Sequence, residues 1–268
     1  MKNIYQALSE LEKHNDSAAL CTVVKSEGST PRHVGSKMLV YPDRNFIGTV
    51  GGGELENRVI KAALESLQSG EAQTILYSMV DPSRGDPGVC GGTVEVFVEP
   101  ILPPATIVVI GAGHVGKAVV HLAKWLGFRV AVSDDRTEFC TPESVPGADA
   151  YYPVEMGKLA EQLKITRQTY LVVTSRGSSV DAEGLPTLLG SDAAYIGVIG
   201  SKRRWLTTFK ALKEQGVSEE SIKKVHSPIG LELNAETPEE IAVSIMAEIL
   251  MLKDKGTGKI MKADPKGL

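Results

Sequence analysis

Apolar positions recur along this chain in two rhythms, and the change from one to the other marks its organisation. Ile4, Leu8 and Leu11 return at helical spacing and predict a first helix. Ala18 to Lys25 and Lys37 to Tyr41 read as strands, and the turn Pro42-Asp43-Arg44-Asn45 leads into another at Phe46 to Val50. Beyond Gly51-Gly52-Gly53, the spacing of Leu55, Val59, Ala62, Ala63 and Leu67 predicts a helix over Glu54 to Leu67. Val94, Val96 and Val98 then alternate with Glu95, Phe97 and Glu99, the period of a half-exposed strand. These elements predict a small mixed α/β domain over residues 1–99. The run Pro100-Ile101-Leu102-Pro103-Pro104 excludes regular helix and should break a strand ladder, so a Pro-rich linker is placed at 100–105.

From residue 106 to 268 the strands become short continuous apolar runs, at Thr106 to Ile110, Arg129 to Ser133, Tyr170 to Thr174 and Tyr195 to Ile199. With a helix predicted over Lys117 to Leu126, this pattern implies a Rossmann-like, doubly wound parallel sheet covered on both faces. Near the C-terminus, Thr237-Pro238-Glu239-Glu240 combines an N-cap hydroxyl, a proline at the first helical position and a glutamate at the third, a capping box. From Ile241 to Leu252 only Ser244 and Glu248 are polar, so this helix is expected to be fully buried or shared with a partner. Part of it is expected to lie in a symmetric homodimer.

Between the first apolar strand of this second domain and its helix stands Val109-Ile110-Gly111-Ala112-Gly113-His114-Val115-Gly116-Lys117. Gly111, Gly113 and Gly116 form a G-x-G-x-x-G fingerprint, in which glycines allow a tight turn and close approach of a pyrophosphate to helix N-terminal amides. Asp134 and Asp135 follow the second strand about 20 residues on, where an acid ordinarily takes a ribose hydroxyl. His114 lies inside the turn itself. The run Ser201-Lys202-Arg203-Arg204 follows a strand at the expected carboxyl edge of the sheet and is placed to meet phosphate, with Ser201, Lys202 and Arg203 as the site candidates; the alternative is a solvated helix start. A dehydrogenase needs a further group to exchange a proton beside the nicotinamide. From the fingerprint onward the histidines are His114, His121 and His226, the first two better read as local packing or capping residues, and no Tyr-x-x-x-Lys pair replaces them. The motif predicts a ligand cradle without an evident reaction.

Composition narrows the partners. At 268 residues, 42% hydrophobic and with a formal charge of -4, the chain carries no basic excess for nucleic acid. No stretch approaches the roughly 18 apolar residues of a membrane span, and the N-terminus lacks the apolar core of a signal peptide. Cys21, Cys90 and Cys140 are odd in number and have no short CxxC spacing, which argues against a disulfide framework or structural zinc site and favours the cytoplasm. Cys21 sits in a strand pattern and Cys140 at a loop start, so both are expected to be inert.

The first domain adds further candidates. Ser29, Thr30 and Arg32 surround a tight turn suited to oxyanions, and Gly51, Gly52 and Gly53 offer backbone amides before a helix. Cys90, in Pro87-Gly88-Val89-Cys90-Gly91-Gly92, is flanked by glycines that would leave its thiol reachable. A Pro-stiffened hairpin, a helix cap and an ordinary loop cysteine are the plainer alternatives.

Taken together, the segments GSTPRHVGSKMLV (28–40), GTVGGGELE (48–56), VCGG (89–92), VIGAGHVGKAV (109–119), VSDDR (132–136), YIGVIGSKRRW (195–205) and SPIGLELNAETPEEIAVSIMAEI (227–249) resemble the xanthine dehydrogenase accessory family, XdhC/CoxI. The resemblance covers nearly the whole chain. It implies a factor that binds molybdenum cofactor (molybdopterin), shelters it while it gains its terminal sulfur and delivers it to a xanthine dehydrogenase-type molybdoenzyme, with a cysteine desulfurase as a further partner. Such a carrier needs oxyanion donors and a soft sulfur ligand, which Ser29, Thr30, Arg32, the triple glycine and Cys90 could supply, Cys90 being the candidate contact to molybdenum or sulfur.

Two departures stand out. Val89-Cys90 replaces the doubled cysteine often found in the family, and Thr174-Ser175-Arg176-Gly177-Ser178-Ser179-Val180-Asp181 replaces a histidine-containing acidic turn. Three readings stay open at this level: a cofactor-maturation chaperone, an NAD(P)-dependent oxidoreductase, and a nucleotide-sensing regulatory module. The Rossmann ligand is equally open between NAD(P), a mononucleotide and a nucleotide form of the cofactor.

Overall fold

The computed structural model describes residues 3–78 and 92–262. The chain divides into two compact units, Met1–Pro103 and Pro104–Leu268. In the first, helix α1 (Ile4–His14) precedes strands β1 (Ala18–Glu27), β2 (Lys37–Val40) and β3 (Phe46–Gly48), helix α2 (Gly53–Ser69) and strands β4 (Gln73–Ser78) and β5 (Thr93–Ile101). The strands form one antiparallel sheet in the order β3-β2-β1-β5-β4. Side chains along β1 alternate between its faces, as the strand pleat requires. Ala19, Cys21 and Val23 pack with Val94, Val96, Val98 and the apolar face of α2, whereas Ala18, Leu20 and Leu39 meet α1.

Pro100 does not break the ladder. It pairs with Ala19 inside β5, and Ile101 pairs with Ala18. β4 ends opposite Val98, so beyond that point β5 is flanked on one side only, and an edge tolerates a residue without an N–H.

The second unit contains β6 (Thr106–Ile110), α3 (His114–Trp125), β7 (Arg129–Ser133), β8 (Ala150–Tyr152), α4 (Leu159–Gln162), β9 (Thr169–Val173), α5 (Ser178–Leu189), β10 (Tyr195–Val198), α6 (Lys202–Glu214), α7 (Glu219–Ile222), β11 (Val225–His226) and α8 (Pro238–Lys253). All six strands are parallel, in the order β11-β10-β9-β6-β7-β8. Counted from β6, this is the 3-2-1-4-5-6 order of a Rossmann sheet read from the other edge. Strand residues alternate between two cores. Ile107, Val109, Val130 and Val172 face α3 and α8, and Val108, Ile110, Leu171 and Val173 face α4 to α7. The connection from β7 to β8 departs from the usual pattern, carrying a 3-10 turn at Thr137–Phe139 where a crossover helix is common.

Helix α8 begins with the expected capping box: Glu240 N–H donates to Thr237 Oγ1 at 3.2 Å, and Thr237 N–H donates to Glu240 Oε2 at 3.1 Å. Its orientation differs from what its composition suggests. Ser244 and Glu248, the polar positions of its stretch from Ile241 to Leu252, are buried, while Val243 and Leu252 face solvent. The inward polar groups are satisfied there, Ser244 Oγ donating to the Leu231 carbonyl and Glu248 accepting from three neighbours. Most of the apolar surface of α8 is thus covered within its own unit, and Val243 and Leu252 are the apolar residues it leaves outside.

Candidate functional site

The order of the parallel sheet reverses between β6 and β9, and a crevice opens there outside the carboxyl ends of the strands. It encloses about 560 Å³ and is lined by Gly111 and Gly113, by Asp134 to Arg136 after β7, and by Ser175 and Arg176 after β9. The fingerprint glycines have different tasks. Gly111 has φ +110°, and a Cβ there would stand 2.6 Å from the Thr174 carbonyl oxygen. Gly116 is buried, and a Cβ there would overlap the Gly111 carbonyl oxygen, so this residue serves close packing rather than ligand contact. Gly113 is the N-cap of α3, with open space where a Cβ would point; a ligand can come closest to the backbone here. His114 is the exposed first residue of α3, which starts three residues before the apolar pattern begins.

Asp134 and Asp135, equivalent as ribose ligands by spacing alone, are distinguished by the structure. Asp134 is only 4% exposed and its carboxylate is committed. Oδ2 accepts from Ala112 N–H at 2.8 Å and from Arg136 Nη2 at 2.8 Å, and Oδ1 accepts from Arg136 N–H at 3.0 Å and Nε at 2.9 Å. Burial pushes its carboxyl up, but the Arg136 guanidinium and the two backbone N–H groups outweigh that and hold it below the usual range. Asp134 therefore ties the glycine turn to the end of β7. Asp135 reaches across the crevice to Arg176 at 2.6 Å, with both side chains partly exposed.

The basic run after β10 is divided in the same way. Ser201 caps α6, its Oγ accepting from Arg204 N–H, and Lys202 and Arg203 are exposed. Arg204, the last residue of the run, is the one that turns inward. It donates to Asp181 Oδ2 through Nη2 at 2.7 Å and to Ser175 Oγ at 2.9 Å, and Asp181 has no exposed surface. Arg204 follows Lys202 and Arg203 in an unbroken basic run, so only its helical phase sets it apart.

His226 lies outside the crevice. Its Nδ1 is 2.8 Å from Glu248 Oε1, and Tyr195 donates to Glu248 Oε2 at 2.9 Å, making a polar cluster beneath α8. Burial and the adjacent Glu248 carboxylate push the Tyr195 phenol upward. The cluster serves the core.

In the first unit, segments far apart in sequence converge. Gly51 has φ +145°, and a Cβ there would stand 2.8 Å from Pro31 Cγ. Gly92 lies so close beneath the next turn that a Cβ would overlap the Ser29 carbonyl oxygen. Thr30 Oγ1 is 2.6 Å from Ser26 Oγ and donates to the Arg32 carbonyl at 3.1 Å, so its hydroxyl builds the turn. Ser29 and Arg32 are exposed. α2 has no side-chain cap at its N-terminus, and Gly52 and Gly53 have open space where a Cβ would point. The Ser29–Arg32 turn, the glycine turn before α2 and Gly92 are thus packed together through their backbones and Pro31. Cys90 lies outside the described residues. Cys21 and Cys140 are both buried; burial pushes the Cys21 thiol up to about 12 and raises that of Cys140. Among the described residues no group of His, Cys, Asp and Glu is arranged to hold a metal ion, and no helix is long and apolar enough to cross a membrane.

These features define a two-unit α/β protein with a Rossmann-like parallel-sheet domain. Residues 107–249 match the XdhC Rossmann domain, and residues 11–78 match the XdhC and CoxI family. The chain belongs to the XdhC/CoxI family. It is similar to the uncharacterized protein YqeB of Escherichia coli K12, 36% identical over 97% of this chain and 48% of that one. It is also similar to a probable xanthine dehydrogenase subunit of Bacillus subtilis 168, 29% identical over 61% of this chain and 47% of the relative. The molybdenum cofactor insertion chaperone PaoD of E. coli K12 is 22% identical over 88% of this chain and 83% of its own length. The chain therefore spans about half the length of the first two relatives. A solved structure described as a xanthine dehydrogenase, from Bacillus halodurans, shares the fold with a TM-score of 0.50 at 22% identity, covering 98% of both chains.

Proposed function

We propose that this chain is a maturation factor for molybdenum hydroxylases of the xanthine dehydrogenase type, which holds molybdenum cofactor during sulfuration and insertion. One observation carries the reading: the Ser29–Arg32 turn, the triple glycine before α2 and Gly92 are packed into one cluster although they come from three separate segments. The cofactor is a pterin with a phosphate and a dithiolene-bound metal; when bound by a client enzyme it supplies the hydroxylation centre. The donor set fits its oxygens. Ser29 and Arg32 would take the phosphate or oxo groups, and Gly52 and Gly53 would present backbone N–H groups beside them, the Gly51 N–H donating instead to Thr49 Oγ1 at 3.2 Å. Thr30 would shape the turn. Cys90, two residues before Gly92 in the chain, is the proposed contact to molybdenum or to the incoming sulfur, since a thiolate suits both.

Membership of the family and the name borne by the chaperone PaoD support the reading. The name of the B. subtilis relative supports a xanthine dehydrogenase-type client. Within the same proposal, residues 1–99 carry the cofactor contacts and residues 106–268 form a nucleotide-binding domain, in which Gly111, Gly113 and the Asp134–Arg136 segment serve the ligand. The domain takes NAD(P), a mononucleotide or a nucleotide form of the cofactor. A cysteine desulfurase supplies the sulfur, and the chain acts in the cytoplasm as a homodimer, for which the outward-facing Val243 and Leu252 on α8 offer apolar surface.

Mass spectrometry of ligands retained by protein from a molybdenum-replete host tests the reading, together with the activity of a co-expressed xanthine dehydrogenase. Retained pterin, lost in Arg32→Ala and Cys90→Ser with client activity falling in parallel, is the expected result. Absence of pterin and a fully active client without this chain would overturn it.

A further inference from the structure

The geometry points to a nucleotide carrying a phosphate on its adenosine ribose, of the NADP type, as the ligand of the Rossmann crevice. The inference rests on reading that crevice as a nucleotide site and names its ligand class. In this topology the acid that closes the second strand ordinarily accepts from the ribose 2′-hydroxyl, whereas an arginine nearby accommodates a 2′-phosphate. Here the acid is Asp134, and both of its oxygens already accept two hydrogen bonds, from Ala112 and from the backbone and guanidinium of Arg136. A carboxylate offers about four acceptor positions in all. None is left for an unsubstituted diol.

Donors stand where the acceptor would be needed. Arg136 lines the crevice, and its guanidinium lies 4.0 Å from the centre of the Phe139 ring. Asp134 engages its Nε and Nη2 edge, which fixes the plane of the group and leaves Nη1 for a ligand. The remaining Nη1 can donate to a phosphate oxygen, and the group is ordered before the ligand arrives. Arg176 lines the same crevice from the loop after β9, paired with Asp135 through Nη2. Two guanidinium groups, one from each side of the point where strand order reverses, would flank the extra phosphate while the Gly111–Gly113 turn meets the pyrophosphate. The volume of about 560 Å³ lies within the range of ligand clefts.

Of the other acidic residues of the crevice, Asp135 is held by Arg176 and Glu155 by Lys158, at 2.6 Å and 2.8 Å, and Glu183 stands exposed on α5. A ribose without a phosphate would have to displace Arg136 to use Asp134, giving up charge-assisted hydrogen bonds; the other acid beside it, Asp135, has its Oδ2 paired with Arg176, and a preference for NAD⁺ would point to that carboxylate instead.

Calorimetry on the intact chain, with NADP⁺, NAD⁺ and 2′-AMP as probes, tests the inference. Charge-assisted hydrogen bonds to the added phosphate should make NADP⁺ bind about tenfold or more tightly than NAD⁺. Arg136→Ala should bring the two affinities together by weakening NADP⁺ alone, and 2′-AMP should compete with NADP⁺ in the parent protein. Equal affinities in the parent, or a preference for NAD⁺, overturn the phosphate clamp while leaving a nucleotide site standing. Failure of both dinucleotides to bind overturns the site and the clamp together, whereas retention of pterin is read separately by mass spectrometry.

Discussion

Arg204 Nη2 lies 2.7 Å from Asp181 Oδ2, and this ion pair joins α6 to α5 at a carboxylate with no exposed surface. Ser175, on the crevice wall, bonds to both partners, its Oγ donating to Asp181 Oδ1 and accepting from Arg204 Nη2. Removing one member of a buried pair strands the other charge, which costs about 3–5 kcal/mol. Asp181→Ala should lower stability by that order in urea titration. Asp181→Ala combined with Arg204→Met should recover part of the loss, since no unpaired charge remains. A double variant as unstable as the sum of the two single variants would show that the partners are not coupled.

The fingerprint glycines should separate packing from binding. Gly116→Ala places a methyl group against the Gly111 carbonyl oxygen and near Thr174 Oγ1, at the tightest point of the turn. Overpacking of this kind costs about 1–3 kcal/mol. Gly113→Ala meets nothing within 4 Å and has φ -74°, which alanine accepts. Thermal unfolding should therefore fall for Gly116→Ala and hold for Gly113→Ala, while Gly113→Ala weakens nucleotide binding by crowding the approach to the backbone.

Acid should loosen the second unit. For Asp134 and Glu248 burial raises the carboxyl, but hydrogen bonds from Arg136, Ala112 and the Arg136 N–H at one site, and from His226, Gly230 and Tyr195 at the other, leave both below their ordinary values of 3.8 and 4.5. A carboxyl depressed by folding contributes stability above its unfolded value, and that contribution is lost as pH falls through the lower folded value. The urea midpoint should hold from pH 7 to about 5 and then decline with acidification. Asp134→Asn and Glu248→Gln should each start lower and fall less steeply.

Thiol chemistry should follow burial. Cys21, its thiol pushed up to about 12, and Cys140, also raised, should resist iodoacetamide at pH 8 in the folded protein and react once it is unfolded. Cys21→Ser and Cys140→Ser should leave pterin retention and client activity unchanged, in contrast to Cys90→Ser. Rapid native labelling of Cys21 or Cys140, read by peptide mass spectrometry, would contradict the burial argument.

Much of the fold is determined by one-dimensional pattern. Continuous apolar runs at Thr106–Ile110 and Arg129–Ser133, with glycines between strand and helix, are sufficient for a parallel sheet because both faces must be buried and the turn must be tight. The capping box at Thr237 is equally local, since its bonds close within three residues. Family membership, too, is legible in short segments, because their order and chemistry are sequence properties.

Tertiary structure decided what local pattern leaves free. Pro100 stays in a strand because β4 has already ended beside it. Ser244 and Glu248 turn inward because their partners, Leu231, Tyr195, His226 and Gly230, lie elsewhere in the chain and come close only after folding. Asp134 looks like a ribose ligand in sequence, yet its lone pairs are taken by Ala112, 22 residues away, and by Arg136. Arg204 differs from Lys202 and Arg203 only in helical phase, and the position of Asp181 decides which of the three is drawn inside. Spacing along a chain sets which face a residue can occupy; whether its hydrogen bonds are spent or open depends on groups brought to it from distant segments.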